Sequence, residues 1–383
     1  MESTADPLPN EPLAYLNGEF LPLRHAKLPV WDLGIVQAAT VTEAVRTFRH
    51  ELFRLDDHLL RLEGSLRGLG LQPRESREQL RHLTVELTRF NAADLDARSD
   101  LLINLFVTAG ESRLHSGGFA VNPGRPTVCI TTRSLEFRSA ARQYRDGLSL
   151  VIPSVRHIPP SSIDPRIKYR SRLHWYLADQ EVQRLDFAAE ALLLDLEGFV
   201  TETSRGNIFA RFGDRLKTPS ESTTLAGVSQ QIVIDLLSAK NLRVERSDMS
   251  PDDLQVADEI LLSSTSACLV PVTRLNGRLI GDGKPGPLWK NLLDDWSRLV
   301  GADILAQADA LSLNPESCLH AFAPRSAPVL PTVPRAIRNH RRRATQQPVS
   351  GKSDDPTSRA LHRSQKDSGS RPGNRRGHGT HRP

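Results

Sequence analysis

Leu196-Glu197-Gly198-Phe199-Val200-Thr201-Glu202-Thr203-Ser204-Arg205-Gly206-Asn207-Ile208-Phe209 is the stretch whose reading decides this chain. Glu197-Gly198 separates the apolar run Ala191–Asp195 from Phe199–Glu202, so the segment predicts a hairpin, with a further strand over Asn207–Phe212. Glu202 ends one of these strands, where a rigid backbone can aim a carboxylate. Alone it also reads as an exposed strand-end residue. Upstream, Lys168 stands just before a helix predicted over Ser171–Leu185, in a chain that uses 42 Arg and only 8 Lys. A partly buried amine there could have its pKa brought from about 10.4 toward 7–8 and attack an aldehyde. Alone, Lys168 is equally a surface lysine at a helix start.

Downstream, Leu225-Ala226-Gly227-Val228-Ser229 leads into a helix predicted over Ser229–Ala239, and Gly227 permits close approach of a ligand to unpaired helix N–H groups. The strand Glu259–Ser263 runs into Ser264-Thr265-Ser266-Ala267. Toward the N-terminus, Asn17-Gly18 predicts a hairpin over Ala14–Leu21, and Val41–Phe48 pairs with a strand resuming at Phe53-Arg54-Leu55. A helix follows from Asp56, capped by Asp56 and Asp57, with Leu59, Leu62, Leu66 and Leu69 on one face and Gly70 at its end. His58 and Arg61 share a face of it. A second helix over Gln79–Phe90 and strands over Leu101–Thr108 and Pro126–Thr132 complete an α+β unit. The pattern breaks between Arg133 and Gly147 and restarts at Leu148–Ile152; the last helical stretch is Leu288–Leu299. The predicted organisation is a small N-terminal α+β domain over 1–135, a larger domain over 146–305 and a basic tail over 306–383.

Composition sets the limits of this reading. Of 383 residues, 38% are hydrophobic and 25% charged, and no stretch of about 18 apolar residues occurs, so a membrane span is excluded. The acidic start lacks a basic and apolar leader, and Cys129, Cys268 and Cys318 show neither disulfide nor zinc spacing, which predicts a cytoplasmic chain without a metal. The net charge of +5 is unevenly spread: residues 321–383 hold 14 Lys and Arg against 3 Asp, leaving residues 1–320 at −6. Arg341-Arg342-Arg343 and Arg375-Arg376 sit among Ser, Pro, Gly and His with no apolar periodicity, so the tail is predicted to be disordered. It reads as a solvated tail or as a contact for nucleic acid or another polyanion.

With Lys168 about 34 residues before Glu202, the Glu-Gly turn, the strand ending Thr-Glu-Thr-Ser and the following Gly-Asn-Ile-Phe resemble the signature of the class IV aminotransferases. That is the fold-type IV family of pyridoxal-phosphate enzymes, and the resemblance runs from about Asn17 to Val272. It implies a two-domain α+β fold of the D-amino-acid aminotransferase type and pyridoxal 5'-phosphate as cofactor. By resemblance, Lys168 holds the cofactor as an imine and moves protons, and Glu202 faces the protonated ring nitrogen. Arg61, Asn207, Gly227, Val228, Ser229 and Thr265 complete the cofactor shell. Ser266 and Ala267 adjoin the substrate, and Arg113 and His115 are similar to the Arg-x-His that holds a substrate carboxylate in D-amino-acid aminotransferases. The family implies a homodimer that exchanges an amino group between an amino acid and a 2-oxo acid. Branched-chain L-amino acids with 2-oxoglutarate are the default; D-amino-acid transfer and aminodeoxychorismate cleavage are the alternatives, and polyanion binding through the tail is a remote one.

Overall fold

The computed structural model describes residues 11–312; the N-terminal decapeptide and the predicted basic tail beyond Ser312 lie outside the described residues. The first part of the chain contains β1 (Leu13–Leu16), β2 (Glu19–Pro22), the one-turn α1 (Leu33–Val36), β3 (Thr40–Phe48), β4 (Glu51–Leu52), α2 (Leu55–Gly68), α3 (Arg77–Ala92), β5 (Leu101–Thr108) and β6 (Thr127–Ser134). Their strands form one antiparallel sheet in the order β2-β1-β6-β5-β3-β4. Asn17 and Gly18 both take positive φ, 47° and 101°, as the Asn-Gly hairpin requires. Helices α2 and α3 cover one face: Leu59, Leu62, Leu66, Leu80, Leu83 and Leu87 pack on Leu13, Tyr15, Val41, Ile103 and Ile130. Each such leucine stabilises the fold by about 1.5–3 kcal/mol relative to exposure. Ser76 and Gln79 start α3 reciprocally, each accepting the other's backbone N–H, at 3.2 and 2.8 Å.

The second part contains α4 (Arg138–Asp146), β7 (Leu148–Val151), α5 (Leu173–Leu185), β8 (Glu190–Leu194), β9 (Val200–Thr203), β10 (Asn207–Phe212), β11 (Arg215–Thr218), α6 (Val228–Ala239), β12 (Val244–Arg246), α7 (Pro251–Gln255), β13 (Glu259–Ser264), β14 (Cys268–Leu275), β15 (Arg278–Leu279), α8 (Pro287–Val300) and α9 (Ile304–Ser312). The strands follow the path β12-β11-β10-β13-β14-β7-β8-β9, with β15 on β14. One further pair, Glu202 opposite Asn207, joins β9 back to β10 and closes the central strands into a ring. The core inside is Leu192, Ile208, Leu261, Val270 and their neighbours, and Phe48 and Leu102 from the first sheet pack into the same cluster. No helix among the described residues is long and apolar enough to cross a membrane.

Two connections tie the first sheet to the chain around Lys168. Val41 bridges Tyr169, the Lys168 carbonyl accepts the N–H of Thr42 at 3.0 Å, and the N–H of Arg170 reaches the Thr40 carbonyl at 2.8 Å. Residues 168–170 therefore cover the edge of β3 that β4 leaves open.

The structure corrects several predicted boundaries. The strand at Phe53–Leu55 is instead the two-residue β4, because Arg49 and His50, both at positive φ, turn the chain sooner than an apolar count reveals. Arg54, in the left-handed region at φ 56°, then occupies the N-cap of α2, and Asp56 and Asp57 lie in its first turn, complementing the dipole without capping it. The break between Arg133 and Gly147 holds α4, whose three arginines hide a buried face of Ala140, Ala141 and Tyr144. Strand β14, in the core of the second sheet, was not anticipated, and α9 runs to Ser312, past the predicted end at Leu305.

At Gly206 an added Cβ would lie 1.9 Å from the Ser263 carbonyl oxygen, a backbone atom that cannot swing aside. Gly206→Ala is expected to lower the unfolding free energy by about 1–3 kcal/mol, as overpacking does, read from urea unfolding at neutral pH.

Candidate active site

Three residues at helical spacing on α2 begin the site: His58, Arg61 and Ser65. They face the sheet side of Glu43, which is 1% exposed on β3. Arg61 grips this carboxylate with two hydrogen bonds, Nε to Oε1 at 2.8 Å and Nη2 to Oε2 at 2.7 Å, and His58 Nδ1 lies 2.9 Å from Oε2. Burial alone would raise the Glu43 pKa, but the charge and hydrogen bonds of Arg61, with the hydrogen bond of His58, bring it down to about 2. Burial lowers the His58 pKa against the pull of Glu43, so the ring is neutral and donates from Nδ1. The third arm of Arg61, Nη1, donates to the Ala226 carbonyl at 2.9 Å, next to the start of α6. Ser65, one turn further, accepts the backbone N–H of Lys168 at 3.0 Å. One helix face thus fixes both a cation and the lysine backbone.

Beside Arg61 opens a small cleft of about 70 Å³. Arg61, Lys168, Glu202, Asn207, Gly227, Val228, Ser229 and Thr265 all line it. These eight were singled out in the sequence, and the fold brings them together from five separate segments. At one end, α6 begins at Gly227, which has no side chain to cap it; Gln230 Oε1 accepts the Gly227 N–H at 3.4 Å, and Val228 and Ser229 of the first turn line the cleft beside Ser263, Ser264 and Thr265. Gly227 has no substitute here: a Cβ would lie 2.1 Å from Asn207 Oδ1, and Asn207 itself donates to the Leu225 carbonyl at 2.9 Å. This end suits an anion. At the other end the Glu202–Asn207 pair at the ring closure presents a carboxylate, with Oε2 3.5 Å from Asn207 Nδ2.

Lys168 lines the same cleft. Its amine is brought down to about 8, first by burial, then by the charges of Arg61 and Arg172, with Glu43 and Glu202 acting in the opposite sense. Near neutral pH a useful fraction is therefore unprotonated. The arrangement can bind an anionic group, hold a ring or cation against Glu202 and offer a nucleophilic amine in the same cleft.

Other predicted residues do not line the cleft. Ser266 and Ala267 form the turn next to Thr265, where the Ser266 carbonyl accepts from Arg46 Nη1 at 2.9 Å and the Ala267 N–H meets Ser264 Oγ at 3.3 Å. Arg113 and His115 sit in a surface turn, with His115 Nδ1 2.8 Å from Ser112 Oγ. Sequence reasoning missed Glu43, Arg172, Trp175 and His157. The isolated acid in the apolar alternation of β3 was the available signal for Glu43; the other three became neighbours of Glu202 only through folding.

Residues 40–275 match the family model described as amino-transferase class IV. The chain is 30% identical over 283 residues to a putative branched-chain-amino-acid aminotransferase of Methanocaldococcus jannaschii, covering 73% of this chain and 93% of that protein. It is 28% identical over 306 residues to branched-chain-amino-acid aminotransferase-like protein 2 of Arabidopsis thaliana, covering 79% of this chain; the match spans only about half, 53%, of that relative. Among solved structures, a T.th. branched-chain amino acid aminotransferase with pyridoxamine 5'-phosphate superposes with a TM-score of 0.69 at 25% identity, over 76% of this chain and 95% of that one.

Removing one partner of a buried ion pair leaves the other uncompensated, so Glu43→Ala is expected to cost about 3–5 kcal/mol at pH 7. Because the folded-state pKa of Glu43 lies below its ordinary 4.5, its contribution is full above that value and is lost as pH falls toward about 2. Urea unfolding at pH 7 and pH 3 should therefore show a smaller pH-dependent loss in the variant than in the wild type.

Proposed function

The chain belongs to the class IV aminotransferases, and from that membership we propose that it is a pyridoxal 5'-phosphate-dependent transaminase using branched-chain L-amino acids as donor and 2-oxoglutarate as acceptor. The observation that carries this reading is the amine of Lys168, its pKa about 8, set in one cleft with the first turn of α6 and the carboxylate of Glu202.

The residues present fit that cofactor. A phosphate requires several donors, and the α6 N-terminus, Arg61 and the hydroxyls of Ser229 and Thr265 supply them. Gly227 at the edge of the α6 end of the cleft has no room for a Cβ, which would lie 2.1 Å from Asn207 Oδ1. When bound, pyridoxal phosphate supplies an aldehyde that joins amines and a ring that withdraws electrons from the substrate Cα. Lys168 would hold the cofactor through Nζ and, once freed, would serve as the base and acid that moves the proton at the substrate Cα. Glu202 would accept a hydrogen bond from the ring nitrogen and so favour its protonated form. Arg61 has two arms committed to Glu43 and one to Ala226, so its guanidinium is held before any ligand arrives.

The donor assignment is supported by the branched-chain names of the relatives. We further read the protein as a homodimer and as cytoplasmic; Cys129 and Cys268, free and buried, suit a reducing compartment. The polyanion reading falls on residues outside those described.

Borohydride reduction of protein loaded with pyridoxal phosphate, followed by peptide mapping, is expected to place the label on Lys168. Lys168→Ala should lose the label and at least about 10²–10⁴-fold in transamination. Against a panel of L- and D-amino acids with 2-oxoglutarate, leucine, isoleucine and valine should react fastest. Reaction with D-alanine alone would overturn the donor, and pyruvate released from aminodeoxychorismate without an acceptor would mark a lyase.

A further inference from the structure

Behind Glu202 stands a histidine that the reading above leaves without a task. His157 is 5% exposed, and its backbone N–H is tied to the Leu194 carbonyl at 2.8 Å, so strand β8 fixes its position. Its ring is held edge-on by Trp175 and His174, each with centroids 5.8 Å away. Nδ1 lies 3.0 Å from the carbonyl oxygen of Ile158, an acceptor, so Nδ1 carries a proton. Nε2 then lies 3.5 Å from Glu202 Oε1.

Chemistry restricts what this contact can be. A neutral ring with its proton on Nδ1 presents a bare lone pair at Nε2, which a carboxylate repels. The contact is attractive only when Nε2 also carries a proton and donates to Glu202. His174 does not compete for charge: burial, then the charges of His157 and Arg172, bring it down to about 4, so it is neutral. The other charged and titratable groups around Glu202 are Lys168, Arg61, Arg172 and Tyr169. None of the hydrogen bonds among the described residues links any of these four to a Glu202 oxygen. A cavity of about 40 Å³ lies against Glu202, walled in part by His157, Trp175, Tyr169 and Lys168, so the histidine and the lysine border one partly open space.

We propose that His157 is a positioning residue acting through Glu202: from Nε2, 3.5 Å from Oε1, it holds the carboxylate in place and aims it at the cofactor's ring nitrogen. The inference rests on the cofactor reading and goes beyond it, assigning a task to a residue outside the cofactor shell.

The test is a double-substitution cycle on cofactor affinity. Dissociation constants for pyridoxal phosphate are measured by equilibrium dialysis for the wild type, His157→Asn, Glu202→Gln and the double variant, with thermal melting of each as a folding control. Asparagine keeps a donor for the Ile158 carbonyl but is too short to reach Glu202, whereas His157→Gln reaches it with a neutral N–H. His157→Asn should weaken binding about tenfold, in the range seen for partners that orient a ligating group, and His157→Gln should recover most of that loss. In the Glu202→Gln background, His157→Asn should add nothing. Wild-type affinity in His157→Asn, equal losses in the Asn and Gln variants, or additive losses in the double variant would each overturn the proposal. A wild type that takes no label at Lys168 would instead overturn the cofactor reading, and this one with it; a labelled wild type with additive variants overturns this one alone.

Discussion

Two charges buried in a leucine-lined layer require each other. Glu43 is 1% exposed, and it is held there by a two-armed guanidinium and a neutral imidazole, both from α2. Neither charge could remain ionised in that layer alone, because desolvation would cost several kcal/mol per ion. Their pairing fixes the rotation and height of α2 on the sheet. From that setting follow the reach of Arg61 to Ala226 and the hydrogen bond from the Lys168 backbone to Ser65. The anion-binding end of the cleft and the reactive amine are therefore set by one ion pair and one helix.

The opposite end of the cleft depends on how the second sheet closes. A single residue pair joins β9 to β10, and its members are Glu202 and Asn207. Closure and the cleft share the same two side chains: Asn207 also ties down the Leu225 carbonyl, on the approach to α6. Gly206 and Gly227 are needed because backbone and amide oxygens pass about 2 Å from where a Cβ would stand, at 1.9 and 2.1 Å. These close approaches thus depend on missing side chains.

Much of this was legible before folding. The Asn17-Gly18 hairpin, the leucine stripe of α2 and the strands Leu101–Thr108 and Asn207–Phe212 follow from turn chemistry and periodicity, and the structure places them there. Helix α4 was missed because Arg138, Arg142 and Arg145 dilute its apolar face, and β4 because a turn with two non-glycine residues at positive φ has no compositional mark. The eight cleft-lining residues were visible because the motifs that carry them are local. Glu43 was not assigned a role, since an acid inside an alternating strand is read as outward-facing until a partner from α2 is known. Arg113 and His115, expected from spacing to grip a carboxylate, lie in a surface turn and are not among the residues that line the cleft of this chain.

By itself the amino-acid order determined the local chemistry: which residues turn, which faces are apolar, and that a lysine, a glutamate and two glycine- or hydroxyl-bearing turns stand at fixed separations. Those properties depend on neighbours a few positions apart, over which the chain has few conformations. Only the tertiary structure decided which charges are buried together and what each then does. Long-range packing of α2 on β3 lowers Glu43 to about 2, and enclosure beside Arg61 and Arg172 lowers Lys168 to about 8. Closure of the second sheet sets His157 behind Glu202. Electrostatic strength depends on distance and desolvation, and both are properties of the folded chain rather than of its spacing in sequence.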